Sequence, residues 1–176
     1  MTKTAPPDRP SARGLRVALL RSRFNAEVVD GLLAGARDAL REMGAAERDV
    51  MVADVPGALE LPLAAAVAAR SGRFDAIVAL GAVIKGETDH YEHVAREASS
   101  GLATVARESG VPVGFGVLTV AREAQALSRS GAGSGNKGAE AARAAVAMVH
   151  VVRSLGGARE ARASKGRSRA KSRESR

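Results

Sequence analysis

The chain has 176 residues, of which 45% are hydrophobic and 26% are charged, and this balance predicts a single globular domain of ordinary size. It contains no cysteine, which excludes disulfides, thiolate nucleophiles and cysteine-ligated metal centres. The net charge is +8, but residues 159–176 carry +6 and residues 1–16 carry +3, so residues 17–158 carry 8 − 6 − 3 = −1. The body of the protein therefore lacks the basic character of a nucleic-acid-binding domain.

Short apolar runs alternate with amphipathic segments in the body of the chain, residues 14–156. This alternation is typical of a βα-repeating fold with a parallel sheet. Strands are predicted at residues 16–20, 50–55, 76–84 and 113–119. Helices are predicted at residues 26–43, 61–70, 88–108, 122–128 and 137–154.

The last predicted helix carries apolar side chains on nearly every face, in "KGAEAARAAVAMVHVV", residues 137–152. A helix that covers one side of a sheet needs only one apolar stripe. The excess predicts that a neighbouring subunit covers the remainder, so we expect a homo-oligomer. The alternative interpretation is that alanine is neutral enough to remain exposed.

The two ends of the chain are predicted to lie outside this domain. Residues 1–13 should form a flexible segment without the apolar core of a secretory signal, and residues 157–176 a basic, disordered tail with almost no apolar residue to bury. No run of 18 apolar residues occurs, so no membrane span is predicted and the cytoplasm is the expected location. One hypothesis gives the tail weak, salt-sensitive contacts with nucleic acid; a solubilising or functionless end is the simpler interpretation.

Polar residues gather where the predicted strands end. The first three strands are followed by "RSRFN" (21–25), "PGALE" (56–60) and "KGETDH" (85–90), and the fourth strand follows "PVGFG" (112–116). Ligands of open parallel sheets bind beyond the carboxyl ends of the strands, where loops and helix N-termini converge. We therefore expect one crevice to collect all four segments.

His90 is the candidate for proton transfer. It would lie in the first turn of a helix, beside backbone N–H groups of residues 87 and 88 that attract anions, and imidazole exchanges protons near neutral pH. A surface or packed histidine is the alternative. A metal site formed by His90 and His93 with Glu87 or Asp89 is disfavoured, because no third histidine or well-spaced carboxylate pair accompanies them.

The glycine-rich segment "GAGSGNKG", residues 131–138, is not a P-loop, because it follows a helix and lacks the Gly-Lys-Ser/Thr ending. Arg129 and Lys137 flank it and are candidates to hold a phosphate, the first through a bidentate fork and the second as a point charge. A flexible connection between solvated charges is the alternative.

Phe24 and Phe115 are two of only three phenylalanines, and both are predicted to lie in loops at strand ends. An aromatic ring in such a loop could stack on a heterocycle. Ordinary core packing is the alternative for either ring.

Five segments together resemble the lumazine synthase (6,7-dimethyl-8-ribityllumazine synthase) family, in family order across about residues 14–155. The segments are "RFN" (23–25), "VPGALELP" (55–62), "DAIVALGAVIKGETDHYEHVA" (75–95), "GVPVGFGVLT" (110–119) and "AGSGNKGAEAA" (132–142). The predicted fold class is α/β: an oligomeric three-layer α/β/α sandwich around a four-stranded parallel sheet, flavodoxin-like. The resemblance implies a cofactor-free and metal-free transferase of riboflavin biosynthesis. Its substrates would be 5-amino-6-(D-ribitylamino)uracil and 3,4-dihydroxy-2-butanone 4-phosphate.

The resemblance also implies roles for individual residues. His90 would transfer protons and Arg129 would anchor the phosphate, with Lys137 near it. Phe24 would stack on the pyrimidine ring, and Phe115 would reach that ring from a neighbouring subunit. The remaining substrate-binding residues would be Ala58, Leu59 and Glu60 for the ribityl chain and ring, Ala82, Val83 and Ile84 for the ring, and Glu87 and Thr88 for the butanone phosphate.

Three departures from the family pattern affect these expectations. Leu59 replaces a frequent aromatic residue, and Glu87 places a carboxylate beside the expected phosphate. These two departures leave open a riboflavin- or lumazine-binding homologue with weakened catalysis. No lysine stands near Gly133, where shell-forming relatives usually have one; the loop length still predicts pentamers and permits a sixty-subunit icosahedral capsid.

Overall fold

The structure, a computed structural model, describes the backbone of residues 10–174 and the side chains of residues 10–156. Its sheet contains four parallel strands in the order β2-β1-β3-β4. They are β1 (Val17–Ser22), β2 (Val50–Val55), β3 (Ala76–Ile84) and β4 (Val113–Val120). All four predicted strands are confirmed, and two have the predicted bounds. Because β2 lies on one side of β1 and β3 on the other, the strand order reverses between β1 and β3, as in flavodoxin-like sheets.

Five helices pack on the two faces of this sheet. They are α1 (Ala26–Glu42), α2 (Leu61–Arg70), α3 (His90–Ser109), α4 (Glu123–Ser130) and α5 (Lys137–Glu174). Helices α1, α4 and α5 pack on one face, and α2 and α3 on the other, which confirms the predicted three-layer α/β/α sandwich. Two short 3₁₀ turns, Glu47–Asp49 and Ala58–Glu60, were not predicted. No helix of the described residues is long and apolar enough to cross a membrane.

The inner strand β3 shows why the sequence specifies a sheet with helices on both faces. Ile77, Val78 and Leu80 are completely buried, and its side chains alternate between the two apolar clusters on either side of the sheet. A strand covered on both faces needs the continuous apolar run that begins at Ala76. Each fully buried Leu, Ile or Val contributes about 1.5–3 kcal/mol relative to its exposed state.

Close backbone approaches fix the start of α5. A Cβ atom at Gly138 would lie 2.0 Å from the carbonyl oxygen of Leu32 in α1, and one at Gly114 would lie 2.3 Å from that of Ala141. Real Cβ atoms do not approach so closely, so only glycine permits α5 to contact both α1 and β4 here. This packing determines where Lys137, the first residue of α5, lies.

The last helix and the packed N-terminal segment both extend beyond the bounds that the sequence predicted for them. Helix α5 continues to Glu174, whereas the sequence predicted an end near Ser154; alanine, arginine, lysine and glutamate in this region are good helix formers. The disorder and nucleic-acid contacts predicted for residues 157–176 fall beyond the described side chains and stay predictions. At the other end, Ala12 is buried and its N–H donates to the Met43 carbonyl at 2.9 Å, so packing begins inside the segment predicted to be flexible. Residues 1–9 lie outside the described range.

Candidate active site

A cleft of about 510 Å³ opens at the carboxyl ends of β1, β2 and β3. It lies beside the β1–β3 junction, where the strand order reverses and the connecting loops diverge to opposite faces of the sheet. The cleft brings together most of the residues that the sequence singled out: Phe24, Ala58, Leu59, Glu60, Ala82, Val83, Ile84, Thr88 and His90. The predicted crevice therefore exists for the first three strand ends.

The turn after β1 holds Phe24 at the mouth of the cleft. Its N–H donates to the Pro56 carbonyl at 3.2 Å, while the neighbouring Asn25 donates through Nδ2 to the Ala82 carbonyl at 2.9 Å. The turn is thus bonded to both adjacent strand exits. The Phe24 side chain is 72% exposed, so its ring face is free to bind a flat ligand instead of packing in the core.

Asn25 was not predicted as a site residue and appeared only within the segment "RFN". It is the one described residue other than glycine with positive φ, at 57°, in the left-handed helical region. Asparagine adopts this conformation more readily than other non-glycine residues, which is the signal that could have identified it. Its conformation turns the chain from β1 into α1 while its side chain spans to β3.

The floor of the cleft includes the 3₁₀ turn Ala58–Glu60. Oε2 of Glu60 accepts a hydrogen bond from the Gly57 N–H at 2.9 Å, which orients the half-buried carboxylate. A carboxylate held in this way can accept further hydrogen bonds from hydroxyl groups. Leu59 projects its side chain from the same turn and is about half exposed.

The connection from β3 to α3 places the predicted proton-transfer residue beside the cleft. His90 is the first residue of α3 and is solvent-exposed, so its imidazole is accessible to a ligand in the cleft. Thr88 also lines the cleft, whereas the exposed Glu87 does not. Glu87 is therefore not part of the cleft wall. Tyr91 and Val94, three residues apart on α3, complete the wall of the cleft. Neither was among the predicted site residues.

A second cavity of about 250 Å³ lies along β4 and contains Phe115, Arg129 and Lys137. Arg129 donates to the Gln125 carbonyl at 2.8 Å, and Nζ of Lys137 pairs with Glu140 at 2.7 Å. The two cations predicted to flank a phosphate therefore share one site. Phe115 lies within β4, in register with Ala79, and is 46% exposed; its prediction as a loop residue was wrong.

The prediction that one crevice collects all four strand ends was also wrong for the single chain. Strand β4 is at the edge of the sheet, and β3 separates it from β1, so the residues of β4 and the cations beside it form a cavity of their own. Sequence order alone could not show this separation.

Another cleft, of about 610 Å³, contains none of the predicted site residues. It lies beside α1 and the start of β2, and two of its arginines pair with acidic neighbours. Arg21 pairs with Asp30 at 2.8 Å and with Asp54 at 3.0 Å, and Arg41 pairs with Asp38 at 2.7 Å. All of the predicted site residues except Glu87 lie instead in the cleft beside β1 and β3 or in the cavity beside β4. No cluster of three metal-ligating side chains occurs among the described residues.

The fold and these cavities define a flavodoxin-like α/β protein with an aromatic side chain, an imidazole and a carboxylate at the reversal point of its sheet. A family model described as 6,7-dimethyl-8-ribityllumazine synthase matches residues 14–153. The chain therefore belongs to the 6,7-dimethyl-8-ribityllumazine synthase family. The resemblance found in the sequence is confirmed, and the match ends before the basic tail.

Proposed function

We propose that the protein is a transferase that condenses 5-amino-6-(D-ribitylamino)uracil with 3,4-dihydroxy-2-butanone 4-phosphate. The product is 6,7-dimethyl-8-ribityllumazine, with release of phosphate and water, in the penultimate step of riboflavin biosynthesis. The observation that carries this proposal is the convergence of Phe24, Glu60 and His90 on one cleft in a member of this family. The reaction joins amines to a carbonyl compound by elimination, so its atoms balance without an oxidant, and we propose that no cofactor or metal takes part.

Each group in the cleft has a chemical task in this proposal. Phe24 stacks on the pyrimidine, because its ring is exposed and held by a bonded turn. Glu60, already oriented by the Gly57 N–H, accepts hydrogen bonds from ribityl hydroxyls. His90 moves a proton between the reacting amine and the leaving oxygen. Ala82, at the end of β3, borders the ring.

The phosphate half of the site is proposed to come from a neighbouring copy of the chain. Arg129 and Lys137 share a cavity at the outer edge of β4, apart from the cleft of the same chain. A homo-oligomer that places this edge against the cleft of the next subunit would complete the site, with Phe115 beside the pyrimidine. Large apolar side chains on α2 and α5, such as Leu63 and Leu155, are exposed in the single chain and support such an assembly. Pentamers, and a sixty-subunit shell built from them, are the proposed states.

A riboflavin- or lumazine-binding homologue with weakened catalysis is the second candidate. Leu59 lines the cleft where relatives often have an aromatic residue, and its aliphatic side chain offers less stacking surface to the ring. The carboxylate of Glu87 gives this second candidate less support than Leu59 does, because Glu87 does not line the cleft.

Steady-state turnover of the purified oligomer distinguishes the two candidates. We expect the absorbance and fluorescence of the lumazine product to rise at a rate proportional to protein concentration, on particles whose mass is measured by light scattering. A rate equal to the spontaneous background, together with tight riboflavin binding, would favour the binding homologue.

A further inference from the structure

Asn136 is one of the few buried polar residues among those described, with only 3% of its surface exposed. The two hydrogens of its Nδ2 are shared among three carbonyl oxygens, those of Gly31 at 2.9 Å, Ser130 at 2.8 Å and Gly131 at 3.1 Å. Its Oδ1 accepts from the Ala139 N–H at 3.0 Å, in the first turn of α5. One side chain thereby connects α1, the end of α4 and the start of α5.

These connections are next to both cations of the second cavity. Ser130 follows Arg129 directly, and Asn136 precedes Lys137 directly. The segment between them, residues 131–135, is exposed and rich in glycine, so it does little by itself to fix the distance between the two cations. The amide of Asn136 bridges the two ends of this segment through the Ser130 and Gly131 carbonyls.

We propose that Asn136 is a positioning residue for the phosphate half of the site, setting the placement of Arg129 relative to Lys137. The inference rests on the proposed function and deepens it. Two cations that must contact one phosphate need a fixed separation, and small displacements of binding groups are costly in catalysis. Asn136 makes no contact with the ligand in this account and acts through its neighbours.

The amide oxygen and the amide nitrogen of Asn136 have different partners, so a substitution can distinguish positioning from helix capping. Serine caps a helix N-terminus about as well as asparagine, so Asn136→Ser keeps an acceptor for the first turn of α5. Serine has no amide N–H groups to bridge the Gly31, Ser130 and Gly131 carbonyls. A residue that only capped the helix would tolerate this change, whereas a positioning residue would not.

Gly35 offers an independent approach to the same amide. A Cβ atom at Gly35 would lie 2.1 Å from Oδ1 of Asn136, so Gly35→Ala must displace the amide. Alanine is otherwise the better residue within a helix. The Gly35→Ala/Asn136→Ala double variant removes the clash, and its effect should equal that of Asn136→Ala alone. Gly156→Ala is the matched control, because a Cβ at this helical position meets nothing within 4 Å.

Two measurements on the assembled protein test the inference. In steady-state kinetics, Asn136→Ser and Gly35→Ala should raise KM for the butanone phosphate about tenfold and change KM for the ribitylaminouracil less than about twofold. Titration with inorganic phosphate should show a similar loss of affinity, independently of turnover. Gly156→Ala should match the wild type in both.

The outcomes separate this inference from the proposed function. A wild-type protein that makes no lumazine refutes the proposed function, while its phosphate titration still tests Asn136. Unchanged phosphate affinity in Asn136→Ser, or an equal rise in both KM values, overturns the positioning role. Additive effects of Gly35→Ala and Asn136→Ala would also overturn it, because the two changes would then act separately.

Discussion

Replacing His90 with alanine is expected to lower kcat by about 10²- to 10⁴-fold, the usual contribution of a positioned general acid or base. The imidazole is exposed at the first residue of α3 and lines the cleft. Forming the new ring requires protons to leave the amine and reach a departing oxygen, and alanine can transfer neither. KM for both substrates should change little, because the proposed substrate contacts of Phe24 and Glu60 are not altered. Initial rates of product absorbance, corrected for spontaneous condensation, measure the effect.

His93→Ala is the matched control for this experiment. His93 is exposed on the same helix, three residues further on, and does not line the cleft. We expect its kcat to stay within about twofold of the wild type, as for a surface change away from the site. Equal losses in the two variants would contradict the assignment of His90, since general damage to α3 would then explain both.

Replacing Arg129 with alanine is expected to produce the second large effect. A hydrogen bond to a charged partner contributes about 1.5–3 kcal/mol, so kcat/KM for the butanone phosphate should fall roughly ten- to hundredfold. Arg129 and Lys137 share the cavity beside β4, where Lys137 pairs with Glu140 and Arg129 donates to the Gln125 carbonyl. Arg129→Lys should recover only part of the loss, because a point charge cannot form the bidentate fork.

Arg122→Ala provides the control for charge. Arg122 precedes the first residue of α4 and is exposed outside the cavity that contains Arg129. Its removal lowers the net charge by the same amount without altering the proposed phosphate contact. If both arginine variants weaken phosphate use equally, long-range attraction accounts for the effect and the anchoring role of Arg129 is wrong.

The sequence was sufficient for the strands, for the five helices and for the cleft that contains His90, because these depend on local patterns. Apolar runs located β2 and β3 at their observed bounds, and residues after a strand end in a parallel sheet must gather at one edge. The cavity beside β4 could not be predicted as separate, since it depends on which strand lies at the edge of the sheet. Phe115 was misplaced for a different reason: it was assigned to a strand-end loop although the apolar run at 113–119 already placed it in the fourth strand.

Asn136 shows a further limit of the sequence. Its partner Gly31 is 105 residues away, and no local pattern shows that the two meet. Gly31 and Gly35 lie one turn apart in α1, and small residues at this spacing permit another chain segment to approach closely. This glycine pair indicated a close approach to α1, but it could not identify the segment that approaches.

Mixed oligomers test whether each complete site contains the cleft of one chain and the cation pair of another. When His90→Ala and Arg129→Ala chains are co-expressed, random assembly leaves about one quarter of the sites with both wild-type residues. We expect about one quarter of wild-type activity, well above that of either variant alone. Activity no greater than the mean of the two separate variants would contradict a shared site, because each chain would then supply both halves of its own site.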